Sequence, residues 1–196
     1  MTTARQIQKL WQTHDYKRLA RLCLEARADA LEPVIPTLAC PVGAAALALL
    51  RLTELSPFPT PMHAGLAQVL ANHQHNDGGW GEPVLTAIAV RALLLADLQR
   101  DRASAGMANL GRLQRDDGLW PGGGTHRLPG DPVVTLFVLL QLGTESAFRF
   151  VTRIDRAIEA IDTHPGLDAP SRRALAIARL RTRTPVIHPT RLAIPA

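Results

Sequence analysis

Gln74-His75-Asn76-Asp77-Gly78-Gly79-Trp80 reads Q-x-x-D-G-x-W, and 40 residues on Gln114-Arg115-Asp116-Asp117-Gly118-Leu119-Trp120 reads the same way. The likeness runs on at both sides. Leu70 and Leu110 each stand four residues before the Gln, one helical turn upstream. After the Trp, Glu82-Pro83-Val84-Leu85-Thr86 matches Asp131-Pro132-Val133-Val134-Thr135. The second copy carries nine extra residues between Trp and acid, a Gly- and Pro-rich insertion from Pro121-Gly122-Gly123-Gly124 to Pro129-Gly130. A degraded copy of the second half precedes both, at Cys40-Pro41-Val42-Gly43-Ala44. A fixed period near 40 residues marks stacked supersecondary units, each too small to bury its apolar face alone.

Each residue of the heptad has a physical task. Gly78 and Gly118 supply the left-handed turn that a Cβ would oppose, and Asp77 and Asp117 bond the nearby backbone. Gln74 and Gln114 can satisfy orphan groups at helix ends. Trp80 and Trp120 are large apolar plates that close one unit onto the next. Glu82 and Asp131 then act as acidic N-caps ahead of a Pro at the first helical position.

Apolar periodicity gives helices over 3–13, 15–29, 41–55, 60–74, 83–98, 101–114, 132–142, 146–163 and 169–183. Those at 41–55, 83–98 and 132–142 are apolar all round and should be buried on every side. Those at 60–74, 101–114 and 146–163 are half polar and should face solvent. Met62, Leu66, Val69, Leu70 and His73 form the stripe of one; Ala147, Phe150, Val151, Ile154, Ile158 and Ile161 that of another. The expectation is one all-α domain over 1–196. It has an N-terminal helical cap over 1–30, hairpin repeats over 40–163 with an inner and an outer layer, and an irregular tail over 184–196.

These residues resemble the QW motif of the terpenoid cyclase and protein prenyltransferase superfamily, over roughly residues 40 to 143. The resemblance implies α/α-toroid repeats in which the motif is structural and ties outer helices together. The chain is shorter than a closed ring of that family needs. An open arc, a small closed variant, or half of an oligomer completed by a second copy remain open. The superfamily hosts unrelated functions, so function must come from a site.

The family's chemistry is not matched. Class II terpene cyclases protonate an alkene with Asp-x-Asp-Asp, absent here; Asp116-Asp117 is the one adjacent acidic pair, inside the motif. Aromatic residues to line a carbocation cavity are few: four Phe, one Tyr and three Trp. Prenyltransferases hold zinc with Asp, Cys and His near inner-helix starts. Here those starts carry Cys40, Glu82 and Asp131, with no matching His, and three helix caps are the simpler explanation. No metal and no cofactor is expected. No phosphate-binding Gly-x-x-x-x-Gly-Lys and no Gly-x-Ser-x-Gly occurs.

Four residues stand out as candidates for binding. The Gly-rich insertion, read as a flexible loop, contains His126 and Arg127 and ends at Asp131; loops inserted on one face of a repeat array often carry binding. Arg91 is the one basic residue in an apolar inner helix. It either pairs with an acid of a neighbouring helix or points into a central cavity toward an anionic ligand.

Charge is unevenly placed. The net charge is +5, and residues 149–196 hold nine of the 22 basic residues, all Arg, against four of the 17 acids. This quarter is either a solvated face or a surface for an anionic partner. Phe150 is the one aromatic residue among the arginines, so nucleic acid is not an expected partner. Two Cys make no disulfide framework. No signal peptide and no apolar run of transmembrane length appears. A protein of the reducing cytoplasm is expected. The leading expectation is a non-catalytic binding or scaffolding module that contacts a partner protein or an apolar small molecule. The alternatives are an enzyme, or enzyme subunit, of terpenoid or prenyl metabolism, and an anionic-surface binder acting through the Arg-rich quarter.

Overall fold

The computed structural model describes residues 3–24, 32–56 and 58–183, and all the regular elements among them are helices. They are α1 (Ala4–Gln12), α2 (Tyr16–Leu24), a 3-10 turn η1 (Glu32–Val34), α3 (Ile35–Leu38), α4 (Pro41–Leu55), α5 (Pro61–Asn72), α6 (Pro83–Ala96), α7 (Arg100–Leu113), α8 (Pro132–Leu142), α9 (Ser146–Val151), α10 (Ile154–Asp162) and α11 (Ala169–Arg183). The fold is all-α. Residues 25–29 of the second expected helix and the tail 184–196 lie outside the described residues.

The starts of the long helices are written in the sequence. Pro41, Pro61, Pro83 and Pro132 all stand in the first turn, where a missing N–H costs nothing and φ is already set. Asp131 Oδ1 accepts from the N–H groups of Val133 (2.8 Å) and Val134 (3.0 Å), and the Cys40 thiol accepts from Gly43 N–H at 3.4 Å. Thr60 and His63 form a reciprocal box: Thr60 N–H donates to His63 Nδ1 at 3.1 Å, and the two side chains meet at 2.8 Å. Glu82 corrects an expectation. It holds the N-cap position, but its side chain makes no capping bond. One more methylene than Asp carries its carboxylate past the first-turn amides.

The helices stack in two layers. α4, α6 and α8 form an inner row, each touching the next, and α11 extends it against α8. α5 packs outside α4 and α6, α7 outside α6, α9 against α7, and α10 against α8 and α11. α1 and α2 cover the first end of the row at α4. The inner helices are apolar all round and accordingly buried: residues 43–49 of α4, 86–90 of α6 and 134–142 of α8 are all in the interior. Each fully buried Leu, Ile or Phe contributes about 1.5–3 kcal/mol, and the Ala runs let the backbones approach closely. One contiguous apolar cluster runs from Ile7 to Ala178. The short η1–α3 segment lies across three inner helices, α3 on α4 and α6 and η1 on α8, with Val34, Ile35 and Leu38 buried.

Residues 146–163 are two helices rather than one. α9 ends at Val151, Thr152 is extended (φ −134°, ψ 158°), and α10 begins at Ile154. The cause lies 39 residues upstream. Gln114 Oε1 accepts from Arg153 N–H at 2.7 Å, and Gln114 Nε2 donates to Arg153 O at 3.2 Å. The Arg153 N–H thus meets a side chain instead of the preceding turn, while Arg153 O also accepts from Ala157 N–H at 3.1 Å and so starts α10. The break also shifts the apolar phase: Phe148, Ile154, Ala157 and Ile161 are buried, whereas Phe150 is 91% exposed and Val151 is exposed too. Expecting Ala147, Phe150 and Val151 on the packed stripe is therefore wrong. His73 also leaves its expected stripe. α5 stops at Asn72, and His73 stands exposed with Nδ1 2.8 Å from Val69 O; the buried histidine of α5 is His63.

Candidate functional site

The two Gln-to-Trp turns are built by the same bonds. In the first, Asp77 Oδ1 accepts from Gly79 N–H (2.9 Å); in the second, Asp117 Oδ1 accepts from Leu119 N–H (3.0 Å). Each turn closes with two backbone bonds: His75 N–H to Gly79 O and Gly78 N–H to His75 O in the first, Arg115 N–H to Leu119 O and Gly118 N–H to Arg115 O in the second. Gly78 and Gly118 sit at φ 85° and 90°, a region that L side chains avoid. The Trp80 and Trp120 indole N–H groups donate to Leu70 O and Leu110 O, both at 2.8 Å. These carbonyls are among the last of α5 and α7, and each also accepts from the backbone N–H at its helix end, that of His73 or Gln114. The Trp backbone N–H groups donate to Thr86 Oγ1 (3.0 Å) and Thr135 Oγ1 (2.9 Å) at the head of the following inner helix.

Each turn then reaches the next outer helix. Gln74 Nε2 donates to Gly78 O (2.7 Å) and to Arg102 O (2.8 Å); Gln114 Nε2 donates to Gly118 O (2.9 Å) and to Arg153 O. A Cβ on Gly78 would come within 2.8 Å of Ala105 O, and one on Gly118 within 2.8 Å of the Arg156 carbonyl carbon. The Gln contact and the Gly contact are three residues apart in both copies, 102 and 105 against 153 and 156. α10 is thus the counterpart of α7, and α9 is an extra element.

Asp77 and Asp117 are exposed, each holding a backbone amide. That is turn geometry, not an acid enclosed by apolar walls. An open cleft of about 470 Å3 beside the second turn is lined by Arg112, Gln114, Arg115, Asp116, Asp117 and His126. Its charged groups are largely engaged. Arg115 Nε meets Asp117 Oδ2 at 3.1 Å, and Arg115 Nη1 donates to His126 O (3.1 Å) and Leu128 O (3.0 Å). Arg112 donates to Asp77 O. Asp116 lies 3.5 Å from Arg153.

The Gly-rich insertion is folded down rather than free. Pro121 and Gly130 pair as an antiparallel bridge, and Asp131 N–H donates to Trp120 O at 2.8 Å. Arg115 pins the middle, and Gly124 lies against the backbone of Gly81, so even a Cβ there would clash. The polyglycine run suggests flexibility, but it equally permits this close backbone contact. His126 and Arg127 are exposed on the loop, while the Asp131 carboxylate is engaged as the α8 cap.

Arg91 Nη1 meets Glu145 Oε1 at 2.8 Å, with the side chains 21% and 6% exposed. The pair joins α6 to the start of α9. Among the described residues, no hydrogen bond or ion pair links Arg91, His126, Arg127 and Asp131 to one another. No three His, Cys, Asp or Glu side chains converge among them either, and Cys40 caps α4. Sequence reasoning missed the roles of Glu145, Arg115, Thr86 and Thr135. The two threonines were visible, standing at matched positions after each Trp.

Several C-terminal arginines serve helix ends. Arg181 Nη1 donates to Leu140 O at 2.7 Å, Arg172 Nε to Leu167 O at 3.1 Å, and Arg149 to Thr182 O. Arg179 pairs with Asp162 at 2.8 Å. No described helix is long and apolar enough to cross a membrane. Compared with protein-family models, curated proteins and solved structures, the chain finds no match in any of the three.

Proposed function

We propose that this chain is a non-catalytic binding or scaffolding module. Its helical hairpin repeats are of the kind the terpenoid cyclase and protein prenyltransferase superfamily builds around its QW motif. The observation that carries this is duplication. Gln, Asp and Trp of both turns engage the backbone in one pattern, and the same groups recur on the next outer helix. A catalytic acid would be held toward a substrate in at least one copy, and neither Asp77 nor Asp117 is. The inner face that an apolar ligand would occupy is crossed by Val34, Ile35 and Leu38, which favours a protein partner on the outside of the array. The test is turnover. Purified protein incubated with farnesyl diphosphate, geranylgeranyl diphosphate or squalene should release no product above buffer. Saturable turnover of any of them would overturn the proposal.

A further inference from the structure

The inner row has a distinctive last member. α4, α6 and α8 each lie between neighbours on both sides, whereas α11 has α8 on one side and α10 on another. Ala174, Leu175 and Ala178 are buried in those contacts. Its outer stripe is Arg172, Arg173, Ala176, Ile177, Leu180 and Arg183, all exposed, with Ile177 at 48% and Leu180 at 68%. Recurrence at three and four residues places these side chains on one face. α11 carries five Arg and no acid. A row of apolar helices thus ends on a face that is apolar at its centre and cationic around it.

We infer that this face docks an acidic amphipathic helix of a partner protein, whose apolar side covers Ile177 and Leu180 and whose carboxylates meet Arg173 and Arg183. The inference rests on the binding-module proposal and specifies its surface. Charge argues against a second copy. The opposite end of the array, residues 3–24, carries Arg5, Lys9, Lys17, Arg18 and Arg21 against one acid, Asp15. Head-to-tail stacking would set cation against cation, and α11 on α11 would do the same. A membrane is disfavoured too. Two large apolar side chains on a helix fixed in a packed row offer little to insert, where interfacial helices bury a wide apolar face. No aromatic side chain on the stripe offers a nucleobase a stacking partner.

The test uses a fluorescent amphipathic peptide with Leu on one face and Glu on the other, and a control with Lys in place of Glu, both titrated with the full chain. The Glu peptide should bind, at least tenfold tighter than the Lys peptide, and weaken steeply with salt. The double variant Arg173→Glu, Leu180→Glu should lose at least tenfold in affinity with an unchanged thermal melt. Arg183→Glu, Ile177→Glu provides a second variant should that one unfold. Equal binding of the two peptides, no binding, or undiminished binding by folded variants overturns the α11 surface while leaving the module proposal standing. Preferential co-sedimentation with phosphatidylserine vesicles, lost in the same variants, overturns the protein partner in favour of a lipid surface. Prenyl turnover would instead remove the underlying proposal.

Discussion

The two Gln-to-Trp turns make the same bonds on different neighbours. The first passes from α6 to α7 in three residues, Asp97 to Gln99, and Gln74 meets an unbroken outer helix. The second passes from α8 to α10 through the extra helix α9, and Gln114 meets the chain between two helices. The turn is the fixed part of the repeat, and the outer helix is what gives way. A side chain that takes up the Arg153 N–H stops a helix that apolar periodicity would continue.

The largest expected effects probe the Trp plates. Trp120→Ala should cost about 3–5 kcal/mol in a denaturant melt. Trp80→Ala should cost about 1 kcal/mol less, because Trp120 alone stacks on an aromatic ring, Phe148, at 6.0 Å and 21°. Equal costs would show that α9 adds nothing to the second turn.

Next comes the tether of the extra helix. Arg91→Met takes one partner from the buried Glu145 and should cost about 3 kcal/mol, the lower end for a broken buried pair, since Arg91 is partly exposed. Adding Glu145→Gln should recover part of that loss. A null result for Arg91→Met would instead free the guanidinium for a ligand.

The Gln pair sharpens the comparison. Gln114→Ala strands Arg153 N–H, while Arg153 O keeps Ala157 N–H, and should cost about 2 kcal/mol for the unsatisfied donor. Gln74→Ala releases more exposed carbonyls and should cost about 1 kcal/mol. If the order reverses, the break at Thr152 does not depend on Gln114.

The smallest effect is a pH dependence at the head of α11. The Ser171 hydroxyl and amide hold the Asp168 carboxyl below its ordinary value of 3.8. A carboxylate with a lowered folded pKa stabilises fully above the unfolded value, and that contribution is lost as pH falls through the lowered one. An NMR titration should give a midpoint under 3.8 that Ser171→Ala moves back up.

Much of this was legible in the sequence because proline and motif spacing act locally. Pro41, Pro61, Pro83 and Pro132 mark helix starts, and the bounds of α4 and α8 coincide with the expected ones. The unread parts depend on distant contacts. Nothing in Val151-Thr152-Arg153 announces a break, because Gln114 makes it. Gly122-Gly123-Gly124 looks flexible until Arg115 and Gly81 are seen beside it. Arg91 carried both a pair and a ligand in the sequence, and only Glu145, 54 residues on, distinguishes them. His73 was misplaced because a stripe says which residues share a face, not where the helix ends.

The central claim is that both turns are the same structural clamp. The chain has three Trp, and only Trp80 and Trp120 belong to a turn. Indole N–H exchange followed by NMR in D2O tests it directly. Trp80 and Trp120 should exchange slowly and together, only through opening of the core that buries them, while Trp11, half-exposed on α1, exchanges early. Fast exchange at either Trp80 or Trp120 would contradict the account.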